Sequence, residues 1–503
     1  MLERMEATGS LERLAQTFPK PLDRMERVEH LLVALDQVSE EMKHGMSNTS
    51  AHENNVAFII AIALIGSVST TLANDSTDPK SEPVVISDRQ AVERRQNLVW
   101  RDQLQGGQIQ TADNRHDRGG TDGSASRTEV AEEHAKESTP IQLEVASLFA
   151  AGGSNAGNDE LRILQGGKHD PRQNGFTLQG LDVSFSSSID PRFEFRGGIT
   201  AIVDAEEGSV FELEELYLIT KSLPQGLQLK AGQYFVEFGH ENALHPHDWD
   251  FVDRPFILTR LFGADSLTSK GARVAWRTPT SWDSQVLLGM MNSKGEEQIS
   301  FFGEPGDEVG GHTLISRDVR DAGDLLYLAR WINEMNISAA VSSNLGISGL
   351  WGPNASGITT DTSIYGADVH FAWRSPHMAN GPRFVWWDTE VLRRRYEAGD
   401  PGDPSHELLR DWGLFTQVMW KFRPDWIAGL RLEYANANGN NASDPQRDKR
   451  KRLSPNLTWS LTEHSQLRIQ YNRDWAEHLP GKTANALWLQ LQFSTGDHDD
   501  HEH

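Results

Sequence analysis

From Ile141 onward the chain repeats one pattern, a short run in which apolar side chains take every second position, closed by a turn. Leu467, Ile469 and Tyr471 are set against Arg468, Gln470 and Asn472; Leu453, Leu457 and Trp459 against Ser454, Asn456, Thr458 and Ser460. Phe193, Phe195, Ile199, Ala201 and Val203 repeat it early, and Tyr365, Val369, Phe371 and Trp373 midway. The last copy sets Leu487, Leu489, Leu491 and Phe493 against Trp488, Gln490 and Gln492. Successive strand residues point to opposite faces, so each run is a ribbon with one apolar and one polar side. The pattern predicts sixteen strands, at 141-150, 176-187, 193-204, 211-220, 227-235, 271-278, 284-292, 325-333, 337-351, 363-374, 384-396, 412-422, 426-435, 452-461, 465-474 and 485-494.

Half-buried strands also build soluble sandwiches. The connections separate the two readings, because a transmembrane barrel alternates tight periplasmic turns with longer external loops. Short connections fall near 189-192, 222-226, 278-282, 333-335, 423-425 and 461-464. Long ones lie between them at 151-175, 236-270, 293-324, 397-411 and 436-451, with shorter external links at 205-210, 352-362 and 475-484. Only 375-383 is somewhat long for the periplasmic side. A sandwich has no reason to keep that order. The expected fold is therefore all-β, a transmembrane antiparallel barrel of about 16 strands spanning 140-494, in the outer membrane of a Gram-negative cell, with lipid outside and small solutes or ions within.

Composition agrees. The 503 residues include no cysteine, which excludes disulfides, thiolate metal sites and cysteine nucleophiles, and a net charge of -24 makes generic nucleic-acid binding improbable. A mean hydropathy of -0.53 suits a barrel whose lipid face uses every second residue. Upstream, Val56 to Val68 is an apolar run of signal-peptide length leading into Thr71-Leu72-Ala73, so 46-73 is expected to be a cleaved export signal. Translation is then expected to start at Met46, with 1-45 an upstream extension containing an amphipathic stretch; an uncleaved inner-membrane anchor is the alternative. Residues 74-139 are polar and aperiodic, a flexible periplasmic segment, and 495-503 form a His/Asp-rich tail.

The stretch QYFVEFGHENALHPHDWDFVDRPFILTRLFG (233-263), with IYGADVHFAWR, RRRYEA, RLSPNLTW and the closing ALWLQLQF, resembles outer-membrane barrels described as zinc-regulated TonB-dependent receptors, which are similar to phosphate-selective porins. The resemblance implies a sixteen-stranded barrel whose third external connection folds into the lumen. Porins of this size are often homotrimers. A receptor of that name implies a plug domain and a TonB box. Only Glu82-Pro83-Val84-Val85-Ile86-Ser87 looks like a box, and 74-139 lacks the apolar periodicity of a folded plug. The expectation is an open porin-like channel linked to zinc, with an energy-coupled metal receptor as the alternative.

Two kinds of candidate site follow. His240, His245 and His247, near Glu241, Asp248 and Asp250, suit a borderline metal such as zinc; a tight hydrogen-bonded loop anchored by Trp249 and Phe251 is the other reading. His498, His501 and His503 in the tail are either weak zinc ligands or a solvated end. No motif requires a cofactor. If apolar parity faces lipid, the opposite parity puts Arg196, Lys230, Arg273, Lys421, Arg431 and Arg468 in the lumen against Glu194, Asp368 and Glu433, a net basic wall favouring anions. The sequence has no G-x-S-x-G elbow, H-E-x-x-H or phosphate loop, and no enzyme is expected.

Overall fold

The computed structural model describes residues 141-204, 208-221, 223-295, 297-375, 383-400, 403-439 and 444-495. The expected extension, export signal, box-like segment and periplasmic stretch lie outside these residues, as do Gly496 to His503.

Sixteen antiparallel strands close into one barrel. They are β1 Gln142–Ser154, β2 Gly175–Ser188, β3 Phe193–Asp204, β4 Gly208–Thr220, β5 Leu227–Phe235, β6 Thr268–Arg277, β7 Asp283–Asn292 and β8 Leu325–Ser338. The second half comprises β9 Val341–Pro353, β10 Asp361–Arg374, β11 Phe384–Asp400, β12 Asp403–Arg423, β13 Trp426–Ala437, β14 Arg450–Thr462, β15 Ser465–Ala476 and β16 Thr483–Thr495. Each strand pairs with its sequence neighbour, and β1 closes on β16 from Val145 opposite Thr495 to Ser154 opposite Ala486. Closure leaves no unpaired edge, the condition for strands in lipid. Because the closing ladder ends at Thr495, deleting Gly496 to His503 is expected to leave folding intact, checked by heat-modifiable migration of the refolded protein.

The outer face fits lipid. Leu288 of β7, Ile347 of β9, Leu432 of β13 and Leu487 and Leu489 of β16 are exposed, flanked at one end by Phe176, Phe211, Tyr327, Tyr365, Trp412 and Trp475 and at the other by Trp276, Trp282, Trp420, Trp459 and Phe493. Trp426 and Trp459 stack across β13 and β14 at 5.6 Å. Trp412 and Trp420 bracket the band on β12. Eight residues at ~3.3 Å each, foreshortened by a tilt of ~40°, give roughly 20 Å, close to the ~25 Å apolar band of an outer-membrane barrel.

Two boundaries differ from expectation. The loop expected at 397-411 is instead strand: β11 and β12 run to Asp400 and from Asp403, a tall hairpin standing beyond the aromatic girdle. Its Tyr396, Ala398 and Leu409 are buried under Phe302, Val309 and Leu314 of the 293-324 connection. These apolar contacts let acid-rich sequence hold a ladder outside the membrane. The turn expected at 333-335 falls inside β8, and the chain reverses at Ala339 and Ala340. Polar Asn333 reads as a breaker, but at the membrane rim it accepts a hydrogen bond from Trp282 Nε1 at 2.9 Å.

Candidate functional site

The connection between β5 and β6, residues 236-267, turns into the barrel and crosses it. Its apolar residues have somewhere to go: Val236, Phe238, Ile257, Leu258, Leu261 and Phe262 are fully buried against inward Tyr217, Tyr234, Leu328, Leu350, Ile364 and Phe415. Pro255 precedes the one-turn-plus helix α1, Phe256–Phe262, and Gly263 at φ 93° ends it. Strand glycines admit the segment where it approaches closest. A Cβ on Gly366 would sit 2.7 Å from the Phe238 ring, and one on Gly413 2.7 Å from Ile257 Cδ1.

Polar contacts fasten it around the circumference, each matched in charge to its strand. Glu237 meets Lys230 of β5 at 2.8 Å and Arg273 of β6 at 2.8 Å, and Arg273 also donates to Gln228. The amides of His240 and Glu241 donate to Glu390 on β11 at 2.6 and 2.7 Å, the chain turning there through Gly239 at φ 66°. Phe256 N donates to Glu433 on β13 at 2.8 Å. The densest anchor is Asp253, fully buried, which accepts from Arg431 and, at 2.9, 2.8 and 2.6 Å, from Arg452 Nη1, Gln470 Nε2 and Asn472 Nδ2. Arg431 further donates to the Asp253 carbonyl at 2.8 Å, and Arg468 to that of Phe251 at 3.2 Å. Burial by itself would raise the Asp253 carboxyl, but the Arg431 and Arg452 charges hold it at about 2.

The three histidines of this segment do not meet at one point. His245 lies between Glu214 (3.3 Å) and Glu215 (3.2 Å) of β4, and His247 binds Asp182 of β2 at 3.0 Å. Their rings stack at 5.5 Å. Burial would lower both, but Glu214 and Glu215 push His245 well up, and Asp248 with Asp182 lifts His247 to about 9. His240 faces the opposite wall, where burial outweighs the Asp388 charge and lowers it to about 4. It borders a water-sized cavity with Asp250, His370, Trp386, Asp388 and Gln417, in which His370 and Asp388 already hydrogen-bond each other. The three histidines thus dock on separate walls and do not form one joint site, His240 instead grouping with His370 and Asp388 within 4.8 Å, and Trp249 and Phe251 are buried anchors.

The expected wall charges are likewise paired. Besides those above, Arg330 grips Asp368 at 2.7 and 3.0 Å, Arg468 donates to Gln490 at 2.7 Å, and Arg431 meets Glu433 at 2.9 Å. Near the periplasmic rim, partly exposed Arg196 holds Glu194 at 2.5 Å, and the Lys421 ammonium lies 5.9 Å from the Phe384 ring. The wall differs from a net basic one. Parity analysis left out inward Asp182, Glu214, Asp388, Glu390, Asp411 and Asp474, all buried, as well as basic Arg330, Arg394, Arg450 and Arg452. One side, β13 to β15, is rich in arginine, and the other, β2 and β4, in carboxylates. One omission has a local cause: Gly198 pairs Glu215 while Ile199 pairs Leu213, so Glu214 is the extra residue of a β-bulge and both glutamates turn inward. The segment's own Asp253 was legible in HPHDWDFVDRP but carried no periodicity to mark it.

No protein-family model matches the sequence. An uncharacterized protein of Aquifex aeolicus (strain VF5) is 27% identical over 383 residues, 73% of this chain and 76% of that one. Among solved structures, the outer-membrane channel DcaP of Acinetobacter baumannii aligns with a TM-score of 0.47 at 11% identity, over 72% of this chain and 99% of that one. OprB of Pseudomonas putida aligns at 0.44 and 12%, over 71% and 94%. OmpT of Vibrio cholerae in its trimer form aligns at 0.42 and 7%, over 71% and 100%. At such identities the likeness extends to the fold alone. The chain is an outer-membrane β-barrel. That statement rests on its own closed sheet, aromatic girdles and apolar belt; the interior is filled by a segment of the same chain that is apolar around α1 and ion-paired at Glu237 and Asp253.

Proposed function

We propose that the protein is a porin-like outer-membrane channel, not an enzyme, for small hydrophilic solutes or ions, and that residues 236-267 keep it shut at rest. The observation that carries this reading is the polar wall behind the segment. Arg431, Arg452, Arg468, Gln470, Asn472, Gln490 and Gln492 face inward and are buried beneath the segment, Arg452 also beneath Leu164 and Gln165 of the 155-174 connection. Burying charge is costly, and a barrel that never opened would be as well served by apolar packing. An interior able to face water needs such side chains. This reading keeps the polar pathway of the open-channel expectation and differs from it in laying residues 236-267 across that pathway.

The energy-coupled receptor is the weaker reading. Here the barrel's own third loop does the plugging, and the three segment histidines offer zinc no common site. Planar-bilayer recording tests the proposal. The wild-type protein is expected to give rare, brief openings, and a deletion within 236-267 that preserves the barrel is expected to give stable ones. Because the wall carries both signs, the open state should discriminate ions weakly, with a reversal potential near zero across a salt gradient. A deletion variant that folds but passes no current would refute the channel.

A further inference from the structure

Three buried side chains from distant parts of the chain converge beside β4 without touching. His169 comes from the connection 155-174, Glu214 from the bulge, and Asp265 from the end of the inner segment. His169 Nε2 lies 3.8 Å from Glu214 Oε1 and 3.6 Å from Asp265 Oδ1, too far for hydrogen bonds. The three ligand atoms lie within 4.8 Å of one another. His169 Nδ1 is 2.6 Å from the Gln179 carbonyl, which can only accept, so Nδ1 carries the hydrogen and the neutral ring presents an electron pair at Nε2. A ring nitrogen fixed in this way through its other nitrogen is the usual preparation of a histidine for metal. Trp249 abuts the same ring edge-on at 6.2 Å, fixing its plane.

The nearest cation, His245, meets Glu214 through the other oxygen, Oε2, at 3.3 Å and leaves the two inward-facing atoms unserved. Both His169 Nε2 and Glu214 Oε1 are buried with no hydrogen-bond partner, a state that normally costs ~1–3 kcal/mol per atom. The nearby lysine does not supply the charge, since Lys168 is engaged by Glu212 at 2.8 Å and Glu297 at 3.1 Å. A proton on His169 would draw a carboxylate to about 2.8 Å, and neither carboxylate is that close. Metal bonds of about 2.0–2.2 Å at tetrahedral angles separate ligand atoms by about 3.4 Å, near the distances found. We propose that His169, Glu214 and Asp265 bind a divalent cation of borderline softness, zinc or manganese, which one imidazole and two carboxylates suit. The bulge is then what aims the second ligand. The site stands independently of channel function, and it ties the 155-174 connection and the inner segment to the wall with a single ion.

The test uses the full chain, stripped with chelator, reloaded with zinc chloride or manganese chloride alone, dialysed metal-free and assayed by inductively coupled plasma mass spectrometry. Wild type is expected to retain one equivalent more of at least one metal than His169→Gln, Glu214→Gln or Asp265→Asn, each first checked for heat-modifiable migration. The histidine tail is common to all four proteins and cancels in the difference. Equal retention by wild type and folded His169→Gln, whether of some metal or none, would overturn the site. Should His169→Gln fail to fold, the comparison with Glu214→Gln decides in the same way.

Discussion

Replacing Asp253 with alanine is expected to convert a barrel that is almost always shut into one that conducts. Asp253 is where the inner segment meets the arginine-rich wall, and four side-chain donors from three strands converge on its two oxygens. Removing the carboxylate leaves Arg431 and Arg452 each short of one anion in a water-poor space, although Glu433 and Asp474 remain beside them at 2.9 Å. Breaking a buried pair from one side typically costs about 3–5 kcal/mol. At 1.4 kcal/mol per tenfold, the docked-to-released ratio should fall by roughly two to three orders of magnitude. The wall's own partners are retained, so this loss should appear in docking more than in the barrel. The expected record is a hundredfold or greater rise in open probability for a protein that still migrates as a folded barrel. If folded Asp253→Ala is as silent as wild type, the segment is not held at Asp253; if wild type already conducts as well, it is not a closure.

All sixteen strands were legible in the sequence because lipid and interior impose opposite demands on alternate residues. Leu487, Leu489 and Phe493 against Trp488, Gln490 and Gln492 cannot slip by one residue without turning the glutamines to the apolar side. The boundaries that moved lie where that demand lapses, as in β11 and β12 beyond the girdle, where the 293-324 connection replaces lipid as the apolar partner. The lumen was less legible for two reasons. Parity slips at a bulge, so Glu214 and Glu215 both point inward where the period allows one. More important, a wall charge means little until its partner is known. Arg273, Arg431 and Lys230 read as a basic channel lining, yet the carboxylates that neutralise them, Glu237 and Asp253, come from a loop with no period at all. The histidines failed as a set for the same reason: three residues within eight of one another in sequence can dock on opposite walls when the loop crosses the lumen.

The same crossing gives closure a pH dependence with a defined shape. His247, docked between Asp182 and Asp248, holds its proton up to about pH 9, while released into water it would lose it near 6.5. A docked pKa above the free one stabilises docking fully below 6.5, and the contribution is lost as pH rises toward 9. His240 behaves in the opposite sense. Burial keeps it neutral down to about pH 4, so docking is unpenalised above 6.5 and weakens as the released ring gains its proton between 6.5 and 4. Each shift of roughly 2.5 units is worth about 3 kcal/mol at 1.36 kcal/mol per unit. The segment should therefore be held most tightly near pH 6.5, with open probability rising on both sides. The two limbs are separable by mutation. His245, held between Glu214 and Glu215, adds to the alkaline limb in the same sense, so His247→Gln, which titrates nothing, should shrink that limb to the share His245 carries and raise the baseline by removing the charge facing Asp182; His240→Gln should flatten the acid limb alone. Bilayer recordings of the three proteins from pH 4.5 to 9 decide it, a range set by the two docked values. A wild-type profile that climbs in one direction only, or limbs that both substitutions leave unchanged, would show that these two rings do not set the docking equilibrium.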